Sequence, residues 1–253
     1  MPIGSSLTMS EIKFITPDWS VPASVKAIVS TRQGGVSAAP FNSLNIGLHV
    51  NDRESDVLIN RKKIIKALNL PSNPIWLNQI HSSNVVELGD IKPDALINAD
   101  GVYTQSNKVV CAVMTADCLP LFLSNKSGDK IAIIHVGWRG LAGGIIENAI
   151  TLFDELPENI IAWAGPCISV RHFEIGSEVR LELKGTDSAY QNSENKGKYY
   201  ANMYQLTGER LRQLGVINYG HSNYCTYADK ELFFSHRRDQ GSGRMVSLIW
   251  LDK

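Results

Sequence analysis

The chain has 253 residues, 43 % hydrophobic and 20 % charged, ordinary values for a soluble globule that can bury a substantial core. Lys plus Arg and Asp plus Glu both number 25, so the formal net charge is zero, which speaks against a nucleic-acid groove and a membrane-seeking surface. No apolar run approaches the roughly 18 residues of a membrane span, and Met1 to Ser10 lacks the basic start and apolar centre of a signal peptide, so residues 1–10 read as a disordered tail.

Val25–Ser30 is the first predicted strand and feeds the turn Thr31-Arg-Gln-Gly-Gly-Val36. Arg32, at the mouth of that turn, carries a guanidinium suited to phosphate or carboxylate. The loop from Pro40 to Asn51 is long and polar, as functional loops often are, and holds Asn42, Asn45 and His49. Asn45 joins Arg32 as a candidate substrate- or phosphate-binding residue, and His49 reads as a surface or supporting residue rather than a ligand. Asp52 to Leu70 has helical spacing of Val57, Ile64, Ile65 and Leu68, with Asp52 as N-cap and Pro71 as stop. Ile75–Leu77 and Val85–Leu88 are short predicted strands with His81 between them, and Asp100-Gly101 turns into a strand at Val102–Thr104. Val109–Met114 is apolar throughout, a strand buried on both faces with Cys111 in the core.

The apolar runs Leu119–Leu123 and Ile131–Ile134 flank a polar segment containing Gly128, the pattern of a β-hairpin. Folded about Ser127, the hairpin brings Cys118 almost opposite His135, with Cβ atoms roughly 5 Å apart. A thiol beside an imidazole is either a nucleophile with its base or two ligands of one metal. His81 would complete a His₂Cys set with a fourth position open, the pattern of a catalytic zinc. Core cysteine and satisfied interior histidines are the plainer alternative at this point.

After His135, Gly137-Trp-Arg-Gly140 leads into one predicted helix to about Leu156, with Leu141, Ile145, Ile146, Ala149 and Phe153 on its apolar stripe. Arg139 in its first turn makes this either an anion seat or a close helix–sheet packing point. Ile160–Ala164 is a strand, Gly165-Pro-Cys167 a turn, Ser177–Leu183 a helix, and Lys184 to Lys198 a mobile polar loop. Met203 to Leu214 is a helix, Val216–Tyr219 a strand, and Met245–Leu251 the last strand. Arg237, Arg238 and Arg244 crowd around Gly241 and Gly243, a candidate anion-binding cluster. Strands outnumber helices and several are hairpin-connected, so the expected fold is α+β, a single domain over residues 11–253 with mixed β-sheets flanked by helices. The four cysteines, Cys111, Cys118, Cys167 and Cys225, have no C-x-x-C spacing, which with no export signal predicts reduced thiols in a cytoplasm.

Ordered motifs over more than 200 residues resemble the YfiH-like family, also labelled the laccase-domain or polyphenol oxidase family. They are Ser30-Thr-Arg-Gln-Gly-Gly-Val-Ser37, Asn42-Ser-Leu-Asn-Ile-Gly47, Asn78-Gln-Ile-His81, Ala99-Asp-Gly-Val-Tyr-Thr104, Met114-Thr-Ala-Asp-Cys-Leu-Pro120, His135-Val-Gly-Trp-Arg-Gly140, Gly165-Pro166, Phe173-Glu-Ile-Gly176, Phe233-Phe-Ser-His-Arg-Arg-Asp239 and Gly243-Arg-Met245. One departure is His236, where the family more often has Tyr.

The resemblance implies zinc on His81, Cys118 and His135, with these three as the catalytic group, and a purine nucleoside phosphorylase that also deaminates adenosine. Adenosine, inosine and methylthioadenosine are the candidate substrates, and the expected partners are a small-molecule nucleoside and phosphate. Arg32, Arg139 and Arg238 are the candidate phosphate seats. The H-x-E…P-C-x-x-C pattern of nucleobase deaminases is absent, so deamination would use another layout. Two rivals stay open: a metal-free cysteine hydrolase or amidase with Cys118 as nucleophile and His135 as base, and a copper polyphenol oxidase, since blue copper also takes His₂Cys. The six histidines contain no H-x-H pair, which disfavours a multicopper enzyme.

Overall fold

The runs Val110–Thr115, Leu119–Asn125 and Ile131–Val136 have too few polar residues to present a wet face, and each is buried along its whole length. They are the centre of two stacked sheets. The computed structural model describes residues 11–89 and 96–252, so the tail expected over residues 1–10 lies outside the described residues. In chain order the elements are β1 (Phe14–Ile15), β2 (Val25–Ser30), α1 (Glu54–Leu68), β3 (Leu77–Asn78), β4 (Val85–Glu87), β5 (Ile97–Asn98), β6 (Gly101–Thr104), β7 (Val110–Thr115), β8 (Leu119–Asn125) and β9 (Ile131–Val136). They continue with α2 (Trp138–Ala142), α3 (Ile145–Phe153), β10 (Ile160–Ala164), β11 (Glu174–Gly176), α4 (Ser177–Leu183), β12 (Tyr190–Asn192), β13 (Lys198–Ala201), α5 (Met203–Gln213), β14 (Asn218–His221), α6 (His236–Asp239) and β15 (Met245–Leu251).

The four-stranded sheet runs β1-β2-β15-β7 and is antiparallel; the six-stranded sheet runs β14-β10-β8-β9-β6-β4 and is mixed, with parallel pairs at β10–β14 and β4–β6. Strand alternation sorts their side chains into layers. On β7, Cys111 and Val113 join Phe122 and Trp163 of the larger sheet in the space between the sheets. Val110, Ala112 and Met114 face the other way and pack with Leu44, Ile46 and Ile64 of α1. On β8, Leu119, Leu121 and Leu123 point outward under Ile146 and Phe153 of α3 and Leu206 and Leu211 of α5. The molecule is therefore an α+β single domain with mixed sheets, layered helix, sheet, sheet, helix. No helix among the described residues is long and apolar enough to cross a membrane.

Four local expectations change. The first helix starts at Glu54 with Arg53 at its N-cap and no side-chain cap, because Asp52 is used elsewhere: its Oδ2 accepts from Asn45 Nδ2 at 2.9 Å. The single helix expected after Gly140 begins earlier, at Trp138, and is two: Gly143 caps α2, and Gly144, left-handed at φ +87°, is the N-cap from which the chain restarts as α3. The predicted strand Ile75–Leu77 is β3 at Leu77–Asn78, and Ile75 instead forms a lone parallel bridge to Cys111.

The largest correction concerns Lys184 to Lys198, expected as a mobile loop. It contains β12 and leads into β13, which with β11 form a three-stranded antiparallel sheet in the order β11-β13-β12. Composition misled because the strand carries little apolar surface: Ala189, Tyr190 and Ala201 are buried against the helix layer, while the tip is held by polar contacts. Glu174 accepts from Ser193 Oγ at 2.5 Å, Asn195 Nδ2 at 2.7 Å and Lys198 Nζ at 3.0 Å.

Candidate metal centre

Strand register decides how the thiol and the imidazole meet. In the β8–β9 hairpin Pro120 pairs with His135 and Leu119 with Val136. Extending that register sets Cys118 across from Gly137, two residues beyond His135. Residues two apart share a face of a strand, so Cys118 still reaches His135 on the diagonal. Gly137 makes room for this: a Cβ there would lie 3.2 Å from His81 Cδ2, 3.4 Å from Cys118 Sγ and 3.6 Å from His135 Cε1. The ligand-type atoms of His81, Cys118 and His135 all lie within 4.8 Å of one another. The two imidazoles meet edge to face, with centroids 4.9 Å apart.

A buried carboxylate holds two of the three. Asp100 has no exposed surface, and its Oδ1 accepts from His135 Nδ1 at 2.9 Å and from the His81 amide at 3.1 Å. Its Oδ2 accepts from the amides of Ile80 (3.2 Å) and Ser82 (2.7 Å) and from Ser82 Oγ (2.8 Å). Burial opposes the charge on Asp100, but the bonds from His135 and Ser82 outweigh it and hold the carboxyl below its ordinary range. These contacts fix the His81 loop, where His81 itself is left-handed at φ +58°, and they commit His135 Nδ1, leaving Nε2 for the thiol side. Asp117 does the same for Cys118. It is left-handed at φ +87°, and its carboxylate accepts from Thr226 Oγ1 (2.7 Å), Ser235 Oγ (3.0 Å) and the Arg237 amide (2.7 Å).

The trio lies in a cavity of about 230 Å³, also lined by His49, Gln79, Met114, His236 and Arg244. Gln79 clamps its loop to β7, donating to Met114 O at 2.9 Å and accepting from Met114 N at 2.7 Å. Burial works against a Cys118 thiolate, yet the charge of His135 and hydrogen bonds from His135 and His81 prevail and lower the thiol to about 6. Burial likewise opposes protonation of His135, but Cys118 and Asp100 raise it to about 9. Both shifts favour a thiolate facing an imidazolium.

One thiolate and two imidazoles are the donor chemistry of zinc or copper, and tetrahedral zinc places such donors about 3.5 Å apart, a spacing the 4.8 Å set reaches with small side-chain adjustments. The residues fit a metal of this kind.

The other predicted site residues are dispersed. Arg32 and Arg238 line a second depression with Asn42, Lys230 and Asp239. Arg32 donates to Asn42 O at 2.8 Å and lies over Phe234, and Arg238 donates to the carbonyls of Thr226, Tyr227 and Phe233. Arg139 is exposed and lies over its neighbour Trp138, with its guanidinium carbon 4.2 Å from the ring centroid. Asn45 is fully buried between loops. The crowded arginines near the C-terminus diverge: Arg237 donates to His172 O and Glu174 O, Arg238 to the carbonyls named above, and Arg244 alone lines the metal cavity. Sequence reading had no role for Asp100, Asp117 or Gln79. Asp100 precedes a glycine and reads as a turn residue; nothing in its spacing to His81 or His135 betrays the contact.

An α+β domain built on two stacked sheets, with a His₂Cys group that could hold a metal and a buried carboxylate bonded to two of its members, defines the class. The model of the multi-copper polyphenol oxidoreductase laccase family matches residues 26–252. The chain is 45 % identical over 241 residues to the Escherichia coli protein named purine nucleoside phosphorylase YfiH, covering 94 % of this chain and 99 % of that one. It is 42 % identical over 243 residues to a Haemophilus influenzae purine nucleoside phosphorylase, again covering 94 % and 99 %. Among solved structures, the Neisseria meningitidis protein NMB0706 superposes with a TM-score of 0.87 at 40 % identity, covering 95 % of this chain and 99 % of that one. YlmD from Geobacillus stearothermophilus superposes with a TM-score of 0.85 at 30 % identity, covering 91 % and 93 %. The chain belongs to the YfiH-like, laccase-domain family.

Proposed function

We propose that this protein is a zinc-dependent purine nucleoside phosphorylase that acts on adenosine, inosine or methylthioadenosine and also deaminates adenosine. The observation that carries the reading is the gathering of His81, Cys118 and His135 in a cavity, in a chain whose relatives bear that enzyme's name. Zinc bound there would supply a Lewis acid at one end of the cavity.

Phosphorolysis breaks the bond between ribose C1′ and the base, forms a bond from C1′ to a phosphate oxygen, and returns a proton to the departing base. The chain must therefore seat an anion, tolerate positive charge at C1′ and offer a hydrogen bond to the base. His49 and His236 line the cavity together with the trio. Burial, with Arg244, Arg61 and His81 nearby, keeps His49 below its ordinary pKa, so at neutral pH it is an uncharged ring with one N–H to give and one nitrogen to accept. Asp100 holds the His135 imidazole and the backbone amide of His81 in place throughout. Deamination of adenosine by water needs no phosphate and releases ammonia. We place the protein in the cytoplasm, where its four free cysteines stay reduced.

The test is mass-spectrometric product analysis with adenosine, inosine and methylthioadenosine, with and without phosphate, on zinc-loaded and chelated protein. Ribose 1-phosphate or its methylthio analogue, formed only with both zinc and phosphate, is the expected result. Absence of any sugar phosphate in the loaded protein rejects phosphorolysis.

A second reading has its own support in the Asp100–His135–Cys118 relay, which has the arrangement of a cysteine hydrolase when no metal occupies the thiolate. Amide hydrolysis that survives chelation and disappears in Cys118→Ala would favour it. A multi-copper oxidase is less well supported, because among the described residues only one group of three or more metal-ligand side chains comes together.

A further inference from the structure

The metal cavity contains one arginine that, among the described residues, is paired with no carboxylate. Arg244 lines the cavity and is partly buried. Its Nη1 donates to Ser242 O at 2.7 Å and Gly243 O at 3.1 Å, and among the described residues no carboxylate pairs with it and no hydrogen bond reaches Nε or Nη2. A guanidinium withdrawn from water without an anion is costly, and other arginines here avoid that by pairing, as Arg210 does with Glu147 at 2.6 Å. The acidic groups that act on Arg244 are Cys118 and Asp117. Cys118 belongs to the metal set, and Asp117 already has three donors.

The surroundings hold this side chain in place. The Arg244 amide donates to Asn45 Oδ1 at 2.9 Å, and the same oxygen accepts from the Gly47 amide at 3.0 Å. Asn45 Nδ2 is anchored on Asp52 Oδ2 at 2.9 Å. The Arg244 stem crosses Gly47, where a Cβ would lie only 2.9 Å from Arg244 Cγ. The loop before α1 thus carries a buried asparagine and a bare glycine that together place one guanidinium in the cavity. Beyond His49 lies a second arginine without a carboxylate partner, Arg61, stacked 3.8 Å from the Trp76 centroid.

We propose that Arg244 is the residue that seats the phosphate co-substrate beside the metal set, with Asn45 and Gly47 as its positioning residues. A planar fork with two uncommitted nitrogens matches two phosphate oxygens. Naming the anion as inorganic phosphate rests on the phosphorolysis reading; the existence of the seat does not.

Calorimetric titration of zinc-loaded protein with inorganic phosphate tests it, alongside titration with adenosine 5′-monophosphate and with adenosine. Wild type should bind inorganic phosphate saturably, and Arg244→Gln should weaken it roughly 10- to 100-fold with zinc content unchanged. Arg244→Lys keeps the charge and the stem but not the fork, so it should fall between, and it serves if the Gln variant does not fold. The surface control Arg212→Gln should match wild type. Equal phosphate affinity in wild type and either Arg244 variant overturns the seat. Arg244-dependent binding of the monophosphate with none of inorganic phosphate overturns the co-substrate assignment. Arg244-dependent phosphate binding without any sugar phosphate product leaves the seat standing and overturns phosphorolysis instead.

Discussion

Asp100 and His135 are joined twice: the ring nitrogen Nδ1 meets the carboxylate at 2.9 Å, and the His135 amide donates to the Asp100 carbonyl at 2.7 Å. The same carboxylate holds the amides of Ile80, His81 and Ser82, so one buried acid orients two candidate ligands that are 54 residues apart in the chain (135 − 81).

Asp100→Asn keeps the volume but turns one acceptor oxygen into a donor facing N–H groups. Metal affinity should fall about 10- to 100-fold, in line with other outer-shell substitutions. The mismatched buried donors should cost about 1–3 kcal/mol of stability. Chelator competition and denaturant unfolding measure the two effects separately, and unchanged metal affinity would mean that Asp100 is structural only.

Gly137→Ala should harm the metal site more than the fold. Gly137 has an ordinary φ of −76°, so the backbone accepts alanine, but the new methyl crowds His81, Cys118 and His135 at 3.2–3.6 Å. The expected outcome is weakened zinc retention on dialysis against a chelator with a melting temperature close to wild type. Cys118→Ala should lose the metal outright, and full zinc occupancy in that variant would refute the ligand assignment.

Metal-free protein should show one reactive thiol. Cys118, lowered to about 6, favours the thiolate at pH 7, whereas burial raises Cys111 and Cys167, and Cys225 is buried with its sulfur accepting from the Ser169 and Ala228 amides. Alkylation at Cys118 should slow as pH falls through about 6, and zinc should block it. The sign of the linked stability follows from both shifts. The lowered thiol contributes above its unfolded value and loses that contribution as pH falls through about 6, while the raised His135 contributes below its unfolded value and loses it as pH rises through about 9. The apo pair is therefore charged together between about pH 6 and 9. Thiol titration of denatured, unreduced, metal-stripped protein should count four.

The β12–β13 hairpin should resist hydrogen exchange. The pairs Gln191 with Tyr200 and Asn192 with Tyr199 are formed, and Ser193, Asn195 and Lys198 bring the Glu174 carboxyl down to about 2. Protection should persist through mildly acidic pH and weaken in Glu174→Ala. Exchange as fast as in a free peptide would restore the loop expected from composition.

Periodicity carried the sequence reading wherever burial is two-sided. Val110–Thr115, the β8–β9 hairpin and Met245–Leu251 declare themselves by apolar content, and the pairing of a two-strand hairpin is local enough to bring Cys118 near His135 without a structure. Composition failed at Lys184 to Lys198, because β12 buries only Tyr190, with Ala189 just before it, and takes the rest of its hold from pairing with β13. Cys118 lies two residues past direct opposition to His135 and still meets it, because alternation returns the side chain to the same face every second residue.

Family motifs singled out His81, Cys118 and His135 from sequence alone, since the chemistry of a site is written in residue types. Which groups support them was decided by the tertiary structure. Asp100 reaches His81 through a loop and His135 across a strand pair, contacts with no periodic signature. The arginines show the same limit. Arg237, Arg238 and Arg244 are near neighbours in the chain, but a four-residue helix and a glycine turn send them in three directions, and only Arg244 enters the cavity. A guanidinium's identity is local, but its direction depends on which carbonyls the rest of the fold presents to it.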